Sequence, residues 1–96
     1  PAIEIMQEFL LIANDVQYNA PFVDILELDE VAFQSTALEK DFLSTRNVVV
    51  IVTDHSDYDY RAIMESSELI VDTRNAIKPF LGTQCRVVKL YRIRRL

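Results

Sequence analysis

The stretch "VVVIVTDHSDYDY", residues 48–60, decides the fold because its chemical character changes abruptly within it. Its first five residues are branched and apolar without polar alternation, which is typical of a parallel strand covered on both faces. Hydroxyls, carboxylates and an imidazole follow where that strand ends. Ligands of open α/β sheets bind beyond the carboxyl ends of the strands. This position makes Thr53, Asp54, His55 and Ser56 candidate binding residues.

A second stretch, "LIVDTRN" at residues 69–75, repeats this order of apolar strand and polar cluster. A helix is predicted between the two stretches, beginning among Ser56, Asp57 and Asp59. Carboxylates at these positions suit the positive end of a helix dipole. The two stretches therefore predict a strand, a helix and a second strand.

The first 43 residues predict two more helices and a short strand. Apolar residues from position 2 to 13 follow the spacing of an amphipathic helix, and Pro1 occupies a position where its missing amide costs nothing. "VQYN" at residues 16–19 reads as a short strand before Pro21. Residues 20–34 show no decisive pattern. Thr36 and Glu39 have the spacing of a capping box, which predicts a short helix through about Leu43.

The carboxyl-terminal part completes the predicted architecture. Gly82, the single glycine of the chain, predicts a turn into a last strand, "CRVVKLY" at residues 85–91. Helices alternating with strands indicate an α/β protein with right-handed crossovers. We therefore predict a Rossmann-like, three-layer fold, in which an open, mostly parallel sheet has helices on both faces. Such domains usually open on a strand, so this sheet is expected to lack its first strand.

Length and composition predict one globular domain over residues 1–96. Half of the residues are hydrophobic and 26% are charged, which is ordinary for a folded protein. No apolar stretch approaches the ~20 residues that span a bilayer. The sequence shows no basic leader, so we expect a cytoplasmic protein that does not bind membranes. Cys85 is the single cysteine of the chain and lies in a predicted strand. We expect Cys85 to act as a small, buried apolar residue without a catalytic role.

The charge distribution is strongly polar along the chain. All 15 acidic residues lie within residues 1–72 beside three basic residues, which gives that section a net charge of −12. The last 24 residues contain seven basic residues and no acidic one, hence +7. An acidic section of this size argues against nucleic acid as a partner. A small polyanion or an acidic protein surface fits the basic section better, although basic residues 89–95 are more typical of a protected edge strand.

The two central motifs resemble a known family. "VVVIVTDHSDYDY", followed a helix later by "LIVDTRNAIK", is similar to the carboxyl-terminal, UDP-sugar-binding domain of the UDP-glucose/GDP-mannose dehydrogenase family. The opening "PAIEIMQEFL" and "VQYNAPFV" also look like that domain. The segment "TDHSDYDY", residues 53–60, most resembles the corresponding segment in the branch of the family that oxidises UDP-N-acetylhexosamines.

The resemblance implies a binding domain of a larger NAD-dependent 6-dehydrogenase that makes UDP-uronic acids for surface polysaccharide. Full-length members carry an NAD-binding domain and a central domain with a catalytic cysteine. An NAD fingerprint needs several closely spaced glycines, whereas this chain has one, and Cys85 stands outside the family's cysteine motif. We therefore expect that the chain binds no cofactor itself, is not catalytic alone, and works with the other dehydrogenase domains.

The resemblance also implies site residues. Arg74 matches the arginine expected to contact the diphosphate of the UDP-sugar, and a guanidinium grips phosphate oxygens in pairs. Asp72 is expected to orient Arg74, while Thr53, Asp54 and His55 line the same crevice. A simpler interpretation is a solvated loop arginine paired with Asp72.

Other functions stay open at this point. Ala20 stands where the family commonly has an aspartate, so contacts on that side are expected to be lost. The chain could instead be a non-catalytic oligomerisation or interaction module, its incomplete sheet pairing with another chain. A phosphoacceptor receiver domain is disfavoured because no acidic pair follows an opening strand. A metal site at His55, Asp54, Asp57 and Asp59 is disfavoured relative to helix capping.

Overall fold

A computed structural model describes residues 2–78 and 84–90 of the chain. The chain divides into two compact units, residues 1–38 and residues 39–96. The first unit contains α1 (Ala2–Ile12), β1 (Ile25–Leu28) and β2 (Val31–Gln34). The second contains α2 (Lys40–Ser44), β3 (Val49–Ile51), α3 (Tyr60–Ser66), β4 (Leu69–Asp72) and β5 (Arg86–Lys89).

The second unit is built on a parallel sheet. Its strand order is β3-β4-β5, and both strand pairs are parallel. A parallel pair needs a crossover connection, and α3 supplies it between β3 and β4. The predicted α/β fold with a parallel sheet, compatible with a Rossmann-like domain, is therefore confirmed.

The core of this unit forms where β-branched strand residues meet the apolar faces of the helices. Ile70 is fully buried at the centre of β4, and Ile51 is buried at the end of β3. Helices α2 and α3 contribute the buried side chains Leu43, Ile63 and Met64. The apolar side chains of α3 are thus part of the core.

The first unit contains an antiparallel hairpin that the sequence did not predict. Strands β1 and β2 pair from Ile25 with Gln34 to Leu28 with Val31. The two turn residues, Asp29 and Glu30, have left-handed backbones with φ of 52° and 66°. Left-handed conformation at both central residues matches the right-handed twist of a hairpin.

The strand predicted at residues 16–19 is wrong, because this segment makes isolated bonds instead of a ladder. The amide of Thr36 donates to the Tyr18 carbonyl at 2.8 Å, and the Asn19 side chain donates to the Thr36 carbonyl at 2.8 Å. The segment is therefore attached to the strand end by single backbone and side-chain contacts.

The predicted capping box is also wrong, although the helix after it exists. The Thr36 hydroxyl donates to the Gln17 side chain at 2.9 Å and does not cap α2. Helix α2 begins after Glu39, whose side chain makes no capping bond. The turn predicted at Gly82 and most of the basic tail at 89–95 lie outside the described residues. No helix within residues 2–78 and 84–90 has the length and apolar character to cross a bilayer.

Candidate functional site

The parallel register brings the carboxyl ends of all three strands of the second unit to one edge. Ile51 at the end of β3 lies opposite Asp72 at the end of β4, and Asp72 lies opposite Lys89 at the end of β5. Two loops leave this edge: the β3 loop, residues 52–59, and the β4 loop, residues 73–78. Each contains residues that the sequence singled out for ligand binding.

Thr73 joins the two strand ends directly. Its amide and its hydroxyl both donate to the Ile51 carbonyl, at 3.1 and 2.7 Å. The start of the β4 loop is therefore tied to the end of β3. Thr53 and Arg74 are two residues of the predicted crevice. Each comes two positions after the end of its strand, and the two strand ends are bonded to each other.

The β3 loop is organised by bonds among its own polar groups and Tyr60. The His55 amide donates to the Tyr60 hydroxyl at 2.9 Å, and that hydroxyl donates to Asp54 Oδ1 at 2.9 Å. Burial raises the pKa of Tyr60, the His55 amide offsets part of this rise, and the hydrogen bond to Asp54 adds to it. The Asp54 carboxylate thus has a structural role in the loop, while Thr53 and Asp54 remain exposed.

His55 is also held within this loop. Its Nδ1 accepts a hydrogen bond from the Asp57 amide at 3.1 Å. The ring is half-buried and meets the Tyr58 ring edge-on, with centroids 6.2 Å apart. Burial raises the pKa of the Tyr58 hydroxyl.

The acidic residues before α3 include the helix cap predicted from the sequence. Asp59 is the N-cap residue, and its Oδ1 accepts a bond from the Ala62 amide at 3.1 Å. Within the described ranges, 2–78 and 84–90, no group of three or more histidine, cysteine or acidic side chains could hold a metal ion.

Asp72 organises the β4 loop from a fully buried position. Only 1% of the residue is exposed, and its carboxylate accepts bonds from the amides of Arg74, Ala76 and Ile77 at 2.9–3.1 Å. Burial would raise the pKa of Asp72. The three amides and the nearby Lys89 ammonium outweigh burial, so the pKa lies below its ordinary value. Asp72 therefore shapes the loop and does not face solvent.

Arg74 differs from Asp72 in exposure. Its amide donates to Asp72 Oδ1 at 3.0 Å, but among the described residues its guanidinium forms no salt bridge with that carboxylate. The residue is exposed at the tip of the β4 loop. The structure therefore does not contain the Arg74–Asp72 side-chain pair that the simpler interpretation of this arginine required.

Two other residues singled out from the sequence belong to neither loop. The Ala20 amide donates to Ser35 Oγ at 3.3 Å within the first unit. Cys85 is a free, half-buried cysteine just before β5. Burial raises the pKa of its thiol, and a hydrogen bond with the Ile70 backbone offsets part of this rise. A raised pKa keeps the sulfur protonated, which lowers its nucleophilicity at neutral pH.

Comparison with known proteins identifies the family. A family model described as "UDP-glucose/GDP-mannose dehydrogenase family, UDP binding domain" matches residues 1–79. The chain belongs to this family. The matched range of the UDP-binding domain includes both the β3 loop and the β4 loop, while β5 lies beyond it. Comparison with curated proteins and with solved structures gave no match.

The sequence did not single out three residues at this edge of the UDP-binding domain: Thr73, Asn75 and Lys89. Asn75 has a left-handed backbone with φ of 56°, which asparagine tolerates better than most residues. Lys89 was placed in the predicted last strand and in the basic tail, without a role at this edge. The sequence does contain a signal for Lys89: one predicted strand contains a lysine and another ends at an aspartate. This signal becomes informative only when the pairing of the two strands is known.

Proposed function

We propose that this domain binds the diphosphate of a UDP-sugar at the carboxyl edge of its parallel sheet, with Arg74 as the main contact. The single observation that carries the proposal is the exposure of Arg74 on a loop whose backbone is fixed by a buried carboxylate. The family match, which names a UDP-binding domain, supports the ligand class.

The chemistry of the β4 loop suits a diphosphate. Arg74 and Lys78 are both exposed, and the charge of the buried Asp72 is matched by Lys89 at 3.6 Å. The loop therefore presents two cationic side chains to solvent close to a neutralised acid. A guanidinium offers parallel donors to phosphate oxygens, and a fixed backbone lowers the entropy lost on binding.

The β3 loop supplies neutral and acidic groups to the same edge. The Thr53 hydroxyl and the half-buried His55 ring follow the strand to which Thr73 is bonded. We assign to Thr53, Asp54 and His55 contacts with the part of the ligand beyond the diphosphate. Asp72 supports the site from beneath and makes no direct ligand contact.

The proposed role of the chain in the whole enzyme is substrate binding without redox chemistry. The residues present do not fit NAD, since a pyrophosphate-binding turn needs closely spaced glycines and the chain has one. We place the NAD site and the catalytic cysteine in other domains of a dehydrogenase. The sequence "TDHSDYDY" supports a UDP-N-acetylhexosamine as the substrate and a UDP-uronic acid as the product of that enzyme.

Titration calorimetry with UDP, UMP, UDP-glucose and UDP-N-acetylglucosamine tests the proposal. We expect UDP to bind more tightly than UMP, because the second phosphate engages Arg74, and UDP-N-acetylglucosamine to bind more tightly than UDP-glucose. Arg74→Ala should weaken UDP binding roughly tenfold or more, as expected for loss of a charge-assisted hydrogen bond.

The matched control for this experiment is Arg61→Ala. Arg61 is an exposed arginine on α3, and its guanidinium pairs with Glu65 at 3.0 Å. Because both variants replace an arginine by alanine, they change the net charge by the same amount. We expect UDP affinity to stay within about twofold of wild type in low salt. Absence of UDP binding, or equal losses in the two variants, would contradict the proposed role of Arg74.

A further inference from the structure

Lys89 occupies an unusual position for a lysine at the end of a strand. Its side chain is only 25% exposed, and it runs from β5 beneath the β4 loop. The ammonium donates to Asn75 Oδ1 at 2.7 Å and to the Ile77 carbonyl, and it lies 3.6 Å from Asp72 Oδ2. The ammonium therefore forms two hydrogen bonds and one ion pair with three oxygens of the protein.

These three oxygens bracket Arg74 along the chain. Asp72 precedes it, Asn75 follows it immediately, and Ile77 lies near the end of the β4 loop. Arg74 itself touches this network through its amide, which donates to the Asp72 carboxylate. The Lys89 ammonium thus contacts residues on both sides of Arg74 in the chain, and these contacts fix the position of the Arg74 backbone.

The network also explains the backbone of Asn75. A left-handed residue is held here by a side-chain bond to Lys89 at one end and by a carbonyl bond from the Lys78 ammonium, at 3.2 Å, at the other. Without Lys89 the buried Asp72 would keep its three amides but lose its nearby countercharge. A buried carboxylate without a partner charge is costly, so the loop would open more readily to water.

We propose that Lys89 is a positioning residue for Arg74, holding the β4 loop in the conformation that receives the diphosphate. The inference rests on the proposed function for its ligand, whereas its structural half can be measured without ligand. Lys89 acts through Arg74, because its ammonium is turned inward, with hydrogen bonds to Asn75 and Ile77 and an ion pair with the buried Asp72.

The ligand-free experiment compares amide hydrogen exchange in wild type, Lys89→Met and Lys40→Met. Lys40 is an exposed lysine at the start of α2 and controls for the loss of one positive charge. In Lys89→Met we expect the Ala76 and Ile77 amides to exchange about tenfold faster or more, while the amide of the buried core residue Ile70 keeps its protection. Unchanged exchange at Ala76 and Ile77 would overturn the proposal.

A double-mutant cycle with UDP tests the link to Arg74. We expect Lys89→Met to weaken UDP binding by about three- to tenfold in the wild-type background and to have no further effect in Arg74→Ala. Lys89→Arg, which keeps the charge and several donors, should recover part of the affinity. Additive losses would overturn positioning through Arg74, since they would mean that Lys89 acts on the ligand by another route.

A second variant covers the case in which Lys89→Met does not fold. Asn75→Gly permits the left-handed backbone and removes only the oxygen that accepts from Lys89. We expect faster exchange at Arg74 and Ala76 and weaker UDP binding, and wild-type behaviour in both would overturn the proposal. If wild type binds no UDP, the proposed function fails, and the exchange data alone decide whether Lys89 holds the loop.

Discussion

The two loops at the carboxyl edge of the sheet are held by different means. In the β3 loop, the bonds among Asp54, His55, Asp57 and Tyr60 join residues no more than six positions apart, and Asp54 and Asp57 are exposed. In the β4 loop, a carboxylate that is 1% exposed accepts three amides, and an ammonium from another strand, 17 residues away, completes the network.

This difference in how the two loops are held leads us to assign them different roles in ligand binding. Exposed local bonds exchange readily with water and contribute little net free energy, whereas a buried, fully bonded charge is costly to disturb. The β4 loop is therefore the rigid side of the edge, and the β3 loop is the side that can adjust. A diphosphate has the same geometry in every UDP-sugar and suits the rigid side, while the sugar varies and suits the adjustable side.

The largest expected effect comes from removing the buried carboxylate of the β4 loop. Asp72→Ala should lower the free energy of unfolding by about 3 kcal/mol or more, because it leaves three amides without their acceptor and Lys89 without its countercharge. Urea denaturation followed by circular dichroism measures the loss. Asp54→Ala in the β3 loop is the comparison and should cost no more than about 1 kcal/mol. Equal losses would remove the distinction between the two loops.

Acid titration should reveal the same difference. The folded-state pKa of Asp72 lies below its ordinary value, so its contribution to stability is complete above the unfolded-state pKa, ~3.9. That contribution declines as the pH falls from there through the folded-state pKa. Asp72→Asn should therefore lose less stability than wild type between about pH 5 and pH 2. Parallel stability curves for the two proteins over this range would show that Asp72 is not responsible.

A smaller effect is expected in the β3 loop. Tyr60→Phe removes one hydroxyl that accepts from the His55 amide and donates to Asp54, and it should cost about 1 kcal/mol. Amide exchange should become faster at His55 and stay unchanged at Ala76 and Ile77. Faster exchange in both loops would mean that they open together, contrary to the comparison.

The smallest effect sets the scale for exposed charges in this molecule. Arg61 and Glu65 form a pair on α3 with both side chains 54% exposed. Arg61→Ala should change the free energy of unfolding by no more than about 0.5 kcal/mol. The measurement is the same urea titration, and a loss comparable to that of Asp72→Ala would show that burial does not decide the value of an ion pair here.

The sequence predicted best where one local rule was sufficient. Apolar β-branched runs located β3 and β4, and the acidic residues at 57 and 59 located the start of α3. The hairpin was missed because its turn uses Asp29 and Glu30 instead of the glycine and asparagine that usually signal left-handed residues. The predicted capping box failed because the Thr36 hydroxyl has a partner 19 residues away.

The candidate site divides in the same way. The β3 loop could be selected from the sequence because it follows a predicted parallel strand, whereas Arg74 was selected through the family resemblance. The occupation of Asp72 by three backbone amides could not be predicted, since it depends on the path of the β4 loop in three dimensions. Lys89 could not be selected before the pairing of β4 with β5 was known, because nothing near it in the sequence requires a buried ammonium.

The Ile51 carbonyl has one further consequence. It receives two hydrogen bonds from Thr73, so both lone pairs of the oxygen are committed to a single residue of the neighbouring strand. A shift of the β4 loop must either break both bonds or carry the last residue of β3 with it. We therefore expect a ligand that binds at Arg74 to perturb the end of β3 through these bonds, so that the nuclear magnetic resonance signals of Ile51 and Val52 report a ligand that neither residue touches.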